Sequence, residues 1–377
     1  MEEKNNVGLW DLPEDKVYVK IKEDVRYEFF KFVKTNYGGA KKLSKLLKTR
    51  IETAYIYNWK HAIRFCPLWF IKPLISDNKN LSKLIQDNIE GLKSRSNGTS
   101  INGIKFPLNL SKCLARMCGH LIGDGGIISS GIEKYRVYYA NKSRFLIKQF
   151  KTDMLETFGK LEFDEYLDSR YDVIQIKIPK IIGIILTEFF GLQSKNFKHI
   201  PKSIKDADKD LKTEFLKSLF DDEGSVHIKG RKITLGVTAR NVLIETKKLL
   251  EELDIETSDI SETHRAGNRK PFYNLTITGW WNFERFREFV GFYHPLKSTG
   301  LKTLIDSLSH YRLMPHETRN IIIQTIKSKN GMTIKDLDKE LNRPIETLKY
   351  HLHNLEKAKI IKSSVAKQNL KIYYGGN

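Results

Sequence analysis

The chain has 377 residues, with 65 Lys plus Arg against 45 Asp plus Glu, a net charge of +20 and 40% apolar residues. That combination describes a folded protein of two or three domains with at least one sizeable core, and it excludes a peptide module or a disordered chain. A polyanion is the expected partner, and the basic excess is spread along the chain, about +7 in residues 1–100, about +6 in 101–310 and about +7 in 311–377, so no detachable tail accounts for it.

The longest apolar run, Ile181 to Phe190, follows Lys180 and contains Glu188. It falls far short of the roughly 20 residues a membrane span needs, so a membrane is not an expected partner. The N-terminus opens acidic, without an apolar stretch of signal-peptide length. A cytoplasmic location is therefore expected, with nucleoid association if the source is prokaryotic. Cys66, Cys113 and Cys118 have neither zinc-ligand spacing nor an even number for a disulfide framework, which argues against a structural zinc and a secreted fold.

In chain order, residues 1–30 sum to about −3 and residues 31–50 to about +7, and the change coincides with a helical pattern. Leu43, Leu46 and Leu47 share one helical face; Lys48 to Arg50 form a turn; Ile51, Tyr55, Trp59 and Ile63 then recur every four residues. This predicts helix, turn, helix, with Arg50, Tyr57 and Lys60 as candidate DNA contacts. The segment from Asn88 to Gly103, rich in glycine, serine and asparagine, reads as a linker and closes a first domain at residues 1–103.

The middle of the chain repeats itself. Cys118 to Gly125 and Lys217 to Gly224 each end a helical apolar run with an acid and then glycine, and the acids Asp124 and Glu223 lie 99 positions apart. After each come a strand-like stretch, a polar turn with a base (Asn141-Lys142; Ala239-Arg240), an amphipathic helix, two further strands and a helix ending at Gly191 or Gly291. A period this long is no solenoid; it predicts two αββαββα halves related by a pseudo-twofold axis, within residues 104–200 and 201–311. Small residues at one helical face, Gly119 and Gly123, let two helix backbones approach closely. An acid at the last turn of each helix then sets two carboxylates side by side, where they repel unless a divalent cation joins them. Mg²⁺ binds through one or two carboxylates and keeps waters for phosphate oxygens, the arrangement of metal-assisted phosphodiester hydrolysis.

From Glu317 the apolar pattern predicts three helices, the second capped by Thr333 and the third carrying a buried stripe of Ile345, Leu348, Leu352 and Leu355. Thr347, Lys349, Tyr350 and His351 fall on or near its exposed side, and two short strands follow. This part, residues 312–377, resembles a winged helix-turn-helix domain of the type T-x-x-Y-H-L-x-x-L-E-x-x-x-I, here Thr347 to Ile360.

The two motifs, Met117 to Gly125 and Leu216 to Gly224, with their surroundings over roughly residues 107–308, resemble the LAGLIDADG homing endonucleases in their single-chain, two-motif form. Asp222 departs from that pattern, standing where a small residue is usual. The resemblance implies an α+β fold: a pair of αββαββα halves whose sheets form a saddle over double-stranded DNA, flanked by an N-terminal helical helix-turn-helix domain and a C-terminal winged helix. It further implies metal binding (Mg²⁺ or Mn²⁺) by Asp124 and Glu223, helped by the backbone carbonyls of Gly123 and Asp222. Lys195 and Lys297 follow the last helix of each repeat, where the family often carries a base that stabilises charge on the scissile phosphate. Lys142, Arg231 and Arg240 are candidate DNA contacts near the sheet surfaces. The expected activity is a monomeric, site-specific double-strand DNA endonuclease. A non-cutting DNA-binding regulator of the same fold and an RNA-splicing maturase, which would take RNA as partner, are the alternatives. The chain begins with Met and ends Gly-Gly-Asn, so self-splicing is not expected.

Overall fold

A computed structural model describes residues 6–95, 98–191, 199–263, 271–308, 315–329, 331–341, 343, 345–366 and 370–375. The N-terminal unit comprises β1 (Asn6–Val7), β2 (Tyr18–Ile21), α1 (Glu23–Tyr37), α2 (Ala40–Leu46), α3 (Thr53–Lys60), β3 (Cys66–Pro67), α4 (Leu68–Leu74), α5 (Lys79–Asp87), β4 (Ile89–Lys93) and β5 (Ser100–Asn102). The helix-turn-helix expected from the spacing is α2 and α3. Leu43, Ile51 and Trp59 are buried beneath it. The turn is tied by Ser44, whose hydroxyl accepts from the Ile51 amide at 2.9 Å and donates to the Ile51 carbonyl at 3.1 Å.

The same unit contains an antiparallel sheet of order β3-β2-β4-β5. The segment read as a linker, residues 88–103, is therefore corrected: it is the hairpin β4–β5, paired from Gly91 with Asn102 to Lys93 with Ser100. A Cβ on Gly91 would lie 2.8 Å from the Asn102 side chain, so the glycine that suggested a loop serves a close cross-strand approach.

Strand β6 (Leu108–Asn109) pairs with β1 and leads into the first half: α6 (Lys112–Ile122), β7 (Gly125–Ile127), β8 (Val137–Asn141), α7 (Arg144–Phe158), β9 (Asp164–Asp168), β10 (Val173–Ile178) and α8 (Lys180–Phe190). After the short α9 (Lys202–Lys205), the second half repeats the order: α10 (Lys209–Glu223), β11 (Gly224–His227), β12 (Lys232–Val237), α11 (Arg240–Glu251), β13 (Ser261–Thr263), β14 (Phe272–Thr278) and α12 (Trp280–Phe289), then α13 (Pro295–Asp306). The sheets β7-β8-β10-β9 and β11-β12-β14-β13 have the same topology, as the repeat requires. Helix α8 is apolar on every face and buried from Ile181 to Leu186, Phe189 and Phe190 included, because β1 and β4 of the N-terminal unit pack on it as well as β8. One apolar cluster accordingly runs from Val7 to Leu308.

The last unit has its own small core of Ile322, Ile326, Leu337, Leu348, Leu352, Leu355 and neighbours. It is built from α14 (Pro315–Ser328), β15 (Met332–Thr333), α15 (Ile334–Leu341), α16 (Ile345–Lys357), β16 (Ile361–Ala366) and β17 (Leu370–Gly375), with sheet order β15-β17-β16. Thr333 caps α15 as expected, its hydroxyl accepting from the Asp336 amide at 3.2 Å while Asp336 accepts from the Thr333 amide at 3.0 Å. Ile345, expected in the buried stripe, is 38% exposed because it is the first residue of α16 and lies beyond the packed turn. Among the described residues, no helix is long and apolar enough to cross a membrane.

Candidate functional site

The centre of the molecule is the crossing of α6 and α10. Each helix starts on a side-chain cap: Ser111 accepts from the Leu114 amide and Asp208 from the Leu211 amide. The helices touch through small residues. A Cβ on Gly119 would come within 2.1 Å of Ser218 Oγ and 2.6 Å of the Phe215 carbonyl, and one on Gly123 within 2.7 Å of Asp222 Cβ. Ser218 keeps its hydroxyl satisfied inside its own helix, donating to the carbonyls of Glu214 and Phe215 at 3.0 Å each. The off-pattern Asp222 fits because Gly123 opposite it has no side chain.

Glu223 is the last residue of α10, and Asp124 follows the Gly123 cap of α6. Both line one cleft of about 330 Å³, together with Gly123, Tyr138 and Thr238. Asp222 turns the other way. Its buried carboxylate accepts from Tyr139 Oη at 2.8 Å and Asn141 Nδ2 at 3.2 Å, and pairs with His120 Nδ1 at 3.0 Å. Asn141 also donates to Asp124 at 2.9 Å, so one amide bridges the inward-facing acid and the cleft-facing one. Burial alone would lower the pKa of His120, but the charge and hydrogen bond of Asp222 outweigh it and raise it. Asp124 is pushed up to about 6 by desolvation and by the Asp222 carboxylate, against the pull of Lys297 and His120.

Lys297 projects from α13 to the C-terminal end of α10, where its ammonium donates to the carbonyls of Phe220 at 3.2 Å and Asp222 at 3.3 Å and to that of Asp221 between them. Burial lowers its pKa, opposed by Asp221, Asp222, Asp124 and Glu223. It is thus a buried cation among four carboxylates, occupied by the last turn of the helix. The Asp222 carbonyl, expected to assist a metal, already accepts this ammonium. Asp221 accepts from the amides of Tyr293 at 3.0 Å and His294 at 2.9 Å; burial raises its pKa to about 6 despite these bonds.

The other expected residues sit apart from this centre. Lys142 follows Asn141 directly and is exposed; Arg240 is exposed at the start of α11. Arg50 is exposed and paired with Glu52 at 2.8 Å, Tyr57 is 57% exposed against the His61 ring, and Lys60 Nζ lies 5.5 Å from the Tyr27 ring centre. Arg231, Thr347, Tyr350 and His351 come together with Trp280 and Trp281 around a second cleft of about 470 Å³ between the central and last units. Lys349 points elsewhere, to Glu346 at 2.8 Å. Lys195 lies outside the described residues. The sequence reading passed over Tyr139 as an ordinary strand residue and took Asn141 only as the neighbour of a base. In the matching strand registers the counterpart of Asn141 in the second half is Val237, so the repeat diverges at this residue beside Asp124.

Residues 210–291 match the model of a LAGLIDADG-like domain and residues 316–364 that of a helix-turn-helix domain, so the chain carries a LAGLIDADG-like domain followed by a helix-turn-helix domain. It is similar to the homing endonuclease I-ApeI of Aeropyrum pernix, 23% identical over 194 residues, 49% of this chain and 86% of that protein. It is also similar to the isomerizing glutamine–fructose-6-phosphate aminotransferase of Methanocaldococcus jannaschii, 24% identical over 280 residues, 70% of this chain. That match spans only 25% of the aminotransferase's length. Among solved structures, I-DmoI in complex with DNA and manganese covers 48% of this chain and 97% of its own, with 20% identity and a TM-score of 0.38.

Proposed function

We propose that this chain is a site-specific, divalent-metal-dependent double-strand DNA endonuclease. The observation that carries the reading is the pair Asp124 and Glu223, held at the ends of two glycine-packed helices and facing one cleft. The residues fit a hard cation. Two carboxylates supply oxygen donors, and the raised pKa of Asp124 marks a carboxylate withdrawn from water and set beside the charge of Asp222, despite the nearby ammonium of Lys297. When bound there, Mg²⁺ or Mn²⁺ would supply Lewis-acid activation of water and neutralise charge on the phosphate. The chain's own residues hold that geometry: Asn141 orients Asp124, the His120–Asp222–Tyr139 network fixes Asn141, and Lys297 closes the end of α10 and contributes positive charge beside the cleft. The name of I-ApeI supports the same activity, whereas the aminotransferase match does not argue for aminotransferase chemistry, since it covers a quarter of that protein.

Duplex DNA is the partner this reading requires, read by the two saddle sheets with α3 and α16 on the flanks, in a monomer divided at residues 1–103, 104–311 and 312–377. Lys142, Arg240 and the exposed part of α3 are its backbone contacts. The helix-turn-helix domain favours one second reading, a DNA-binding regulator that does not cut. Incubating the protein with fragmented DNA from its source, with Mg²⁺ or with EDTA, and sequencing new ends separates the two: metal-dependent ends at one site support the nuclease, and tight binding without new ends supports the regulator.

A further inference from the structure

A cleft with a concentration of basic groups lies away from the acids. It lies between the β4–β5 hairpin of the N-terminal unit and the first saddle sheet, has a volume of about 550 Å³, and is lined by Arg95 and Thr99 from the hairpin side and by Arg136, Lys177 and Lys180 from the first half, with Glu162 and Asp164 as its only acids. Two features set it apart from an ordinary charged surface. First, its orientation is fixed by the sheet. Ile174, Ile176 and Ile178 of β10 are buried, so Lys177 projects from the opposite, open face. Its partners in the ladder are Tyr138 of β8, which lines the acid cleft, and Asp164 of β9. Cross-strand partners share a face, so the basic cleft and the acid cleft open side by side on one surface.

Second, the four bases outnumber the lining acids Glu162 and Asp164. Arg136 and Lys180 share one acid, Glu133, with Lys180 3.9 Å from it. Among the described residues, neither Arg95 nor Lys177 has an acidic partner within 4 Å. Lys180 has a side chain only 11% exposed; burial lowers its pKa, Glu133 opposes that, and Arg95 and Arg136 lower it further. Four bases converge there on three acids, Glu133, Glu162 and Asp164, which leaves the cleft net positive.

We propose that this cleft seats the sugar-phosphate backbone of the DNA duplex beside the acid cleft, with the N-terminal hairpin forming its outer wall through Arg95. The inference rests on the endonuclease reading for the identity of the polyanion, and it gives the N-terminal hairpin a binding role that α2 and α3 alone do not supply.

The test uses full-length protein and a fluorescent random-sequence duplex, with affinity measured by anisotropy at several salt concentrations in EDTA. Each lost phosphate contact lowers the slope of log affinity against log salt by about 0.9, so Arg95→Ala with Lys177→Ala lowers it by about 1.8. Lys79→Ala with Lys83→Ala removes the same charge from exposed positions that line neither cleft, and leaves the slope nearly unchanged. The conservative pair Arg95→Lys with Lys177→Arg retains the wild-type slope. Equal slopes for the two alanine variants overturn the cleft proposal while leaving the endonuclease reading intact. A wild-type protein with no salt-dependent binding at all overturns both.

Discussion

Substitution of Gly119 by alanine sets two opposing effects against each other. In an unencumbered helix interior, Gly→Ala stabilises by roughly 0.5–1 kcal/mol because alanine has less backbone freedom to lose. Here the new Cβ would lie 2.1 Å from Ser218 Oγ and 2.6 Å from the Phe215 carbonyl, where ordinary contact begins near 3.4 Å. Ser218 can rotate, but the carbonyl belongs to the α10 backbone, so the helices must separate by several tenths of an ångström. Overpacking of that kind costs about 1–3 kcal/mol. The net expectation is destabilisation by about 1–2 kcal/mol, read as the shift in urea midpoint multiplied by an unchanged m-value. Adding Ser218→Ala removes the shorter contact and recovers part of the loss, but not the part due to the carbonyl. Because Asp124 and Glu223 ride on the same two helices, cleavage should fall further than stability does, by about 100-fold for a displacement approaching 1 Å. A Gly119→Ala protein as stable as the wild type, or more so, refutes the close-packing argument and with it the account of how the acids are brought together.

Asp124→Asn and Glu223→Gln should each abolish metal-dependent cleavage while DNA binding in EDTA stays at least as tight, as gel shift and plasmid nicking can measure; full cutting by both variants contradicts the assignment. The raised pKa of Asp124, about 6 against 3.8, means that the folded state holds more protons than the unfolded chain between those values, so metal-free stability declines as pH rises through that window. Asp124→Asn escapes that decline, and its melting temperature in EDTA should exceed the wild type's by more at about pH 7 than at about pH 4.5. His120→Ala leaves the Asp222 carboxylate buried with one partner fewer and should cost about 3–5 kcal/mol, against a smaller loss when Asp222→Asn is added. A fragment of residues 104–311, which the sequence alone favours as an independent unit, should instead melt well below the full chain or precipitate, because removing β1 and β4 uncovers the apolar helix α8.

That last expectation marks where the sequence was readable and where it was not. The repeat was legible because its glycines, acids and amphipathic helices recur at a period near 100 residues. The winged domain was legible because its stripe of Leu348, Leu352 and Leu355 and its Thr333 cap are local signals. The β4–β5 hairpin was hidden, since Gly91 and the serines that look like loop composition serve close strand contacts set by residues elsewhere in the chain. The attachment of the N-terminal unit was hidden for a related reason: Ile181 to Phe190 reads as a core helix, but no periodicity reveals which element covers its far side. Strands β7 and β11 are short and start on glycine, without the alternation that marks a strand. In the site, both cleft acids came from motif position, whereas the inward turn of Asp222 and the bridging amide of Asn141 depend on contacts between segments some 80 residues apart.

The division of apolar burial also governs what recombination can exchange. The N-terminal unit shares one continuous core with the crossing of α6 and α10, so a foreign domain in its place would have to reproduce the surface that α8 buries. The described residues of the last unit form a core of their own, so that unit can be traded for another domain with little effect on the folding of the rest. Descent by domain shuffling would therefore leave unequal marks: diverse partners are tolerated downstream of residue 308, while the upstream unit has to evolve in concert with the saddle it supports.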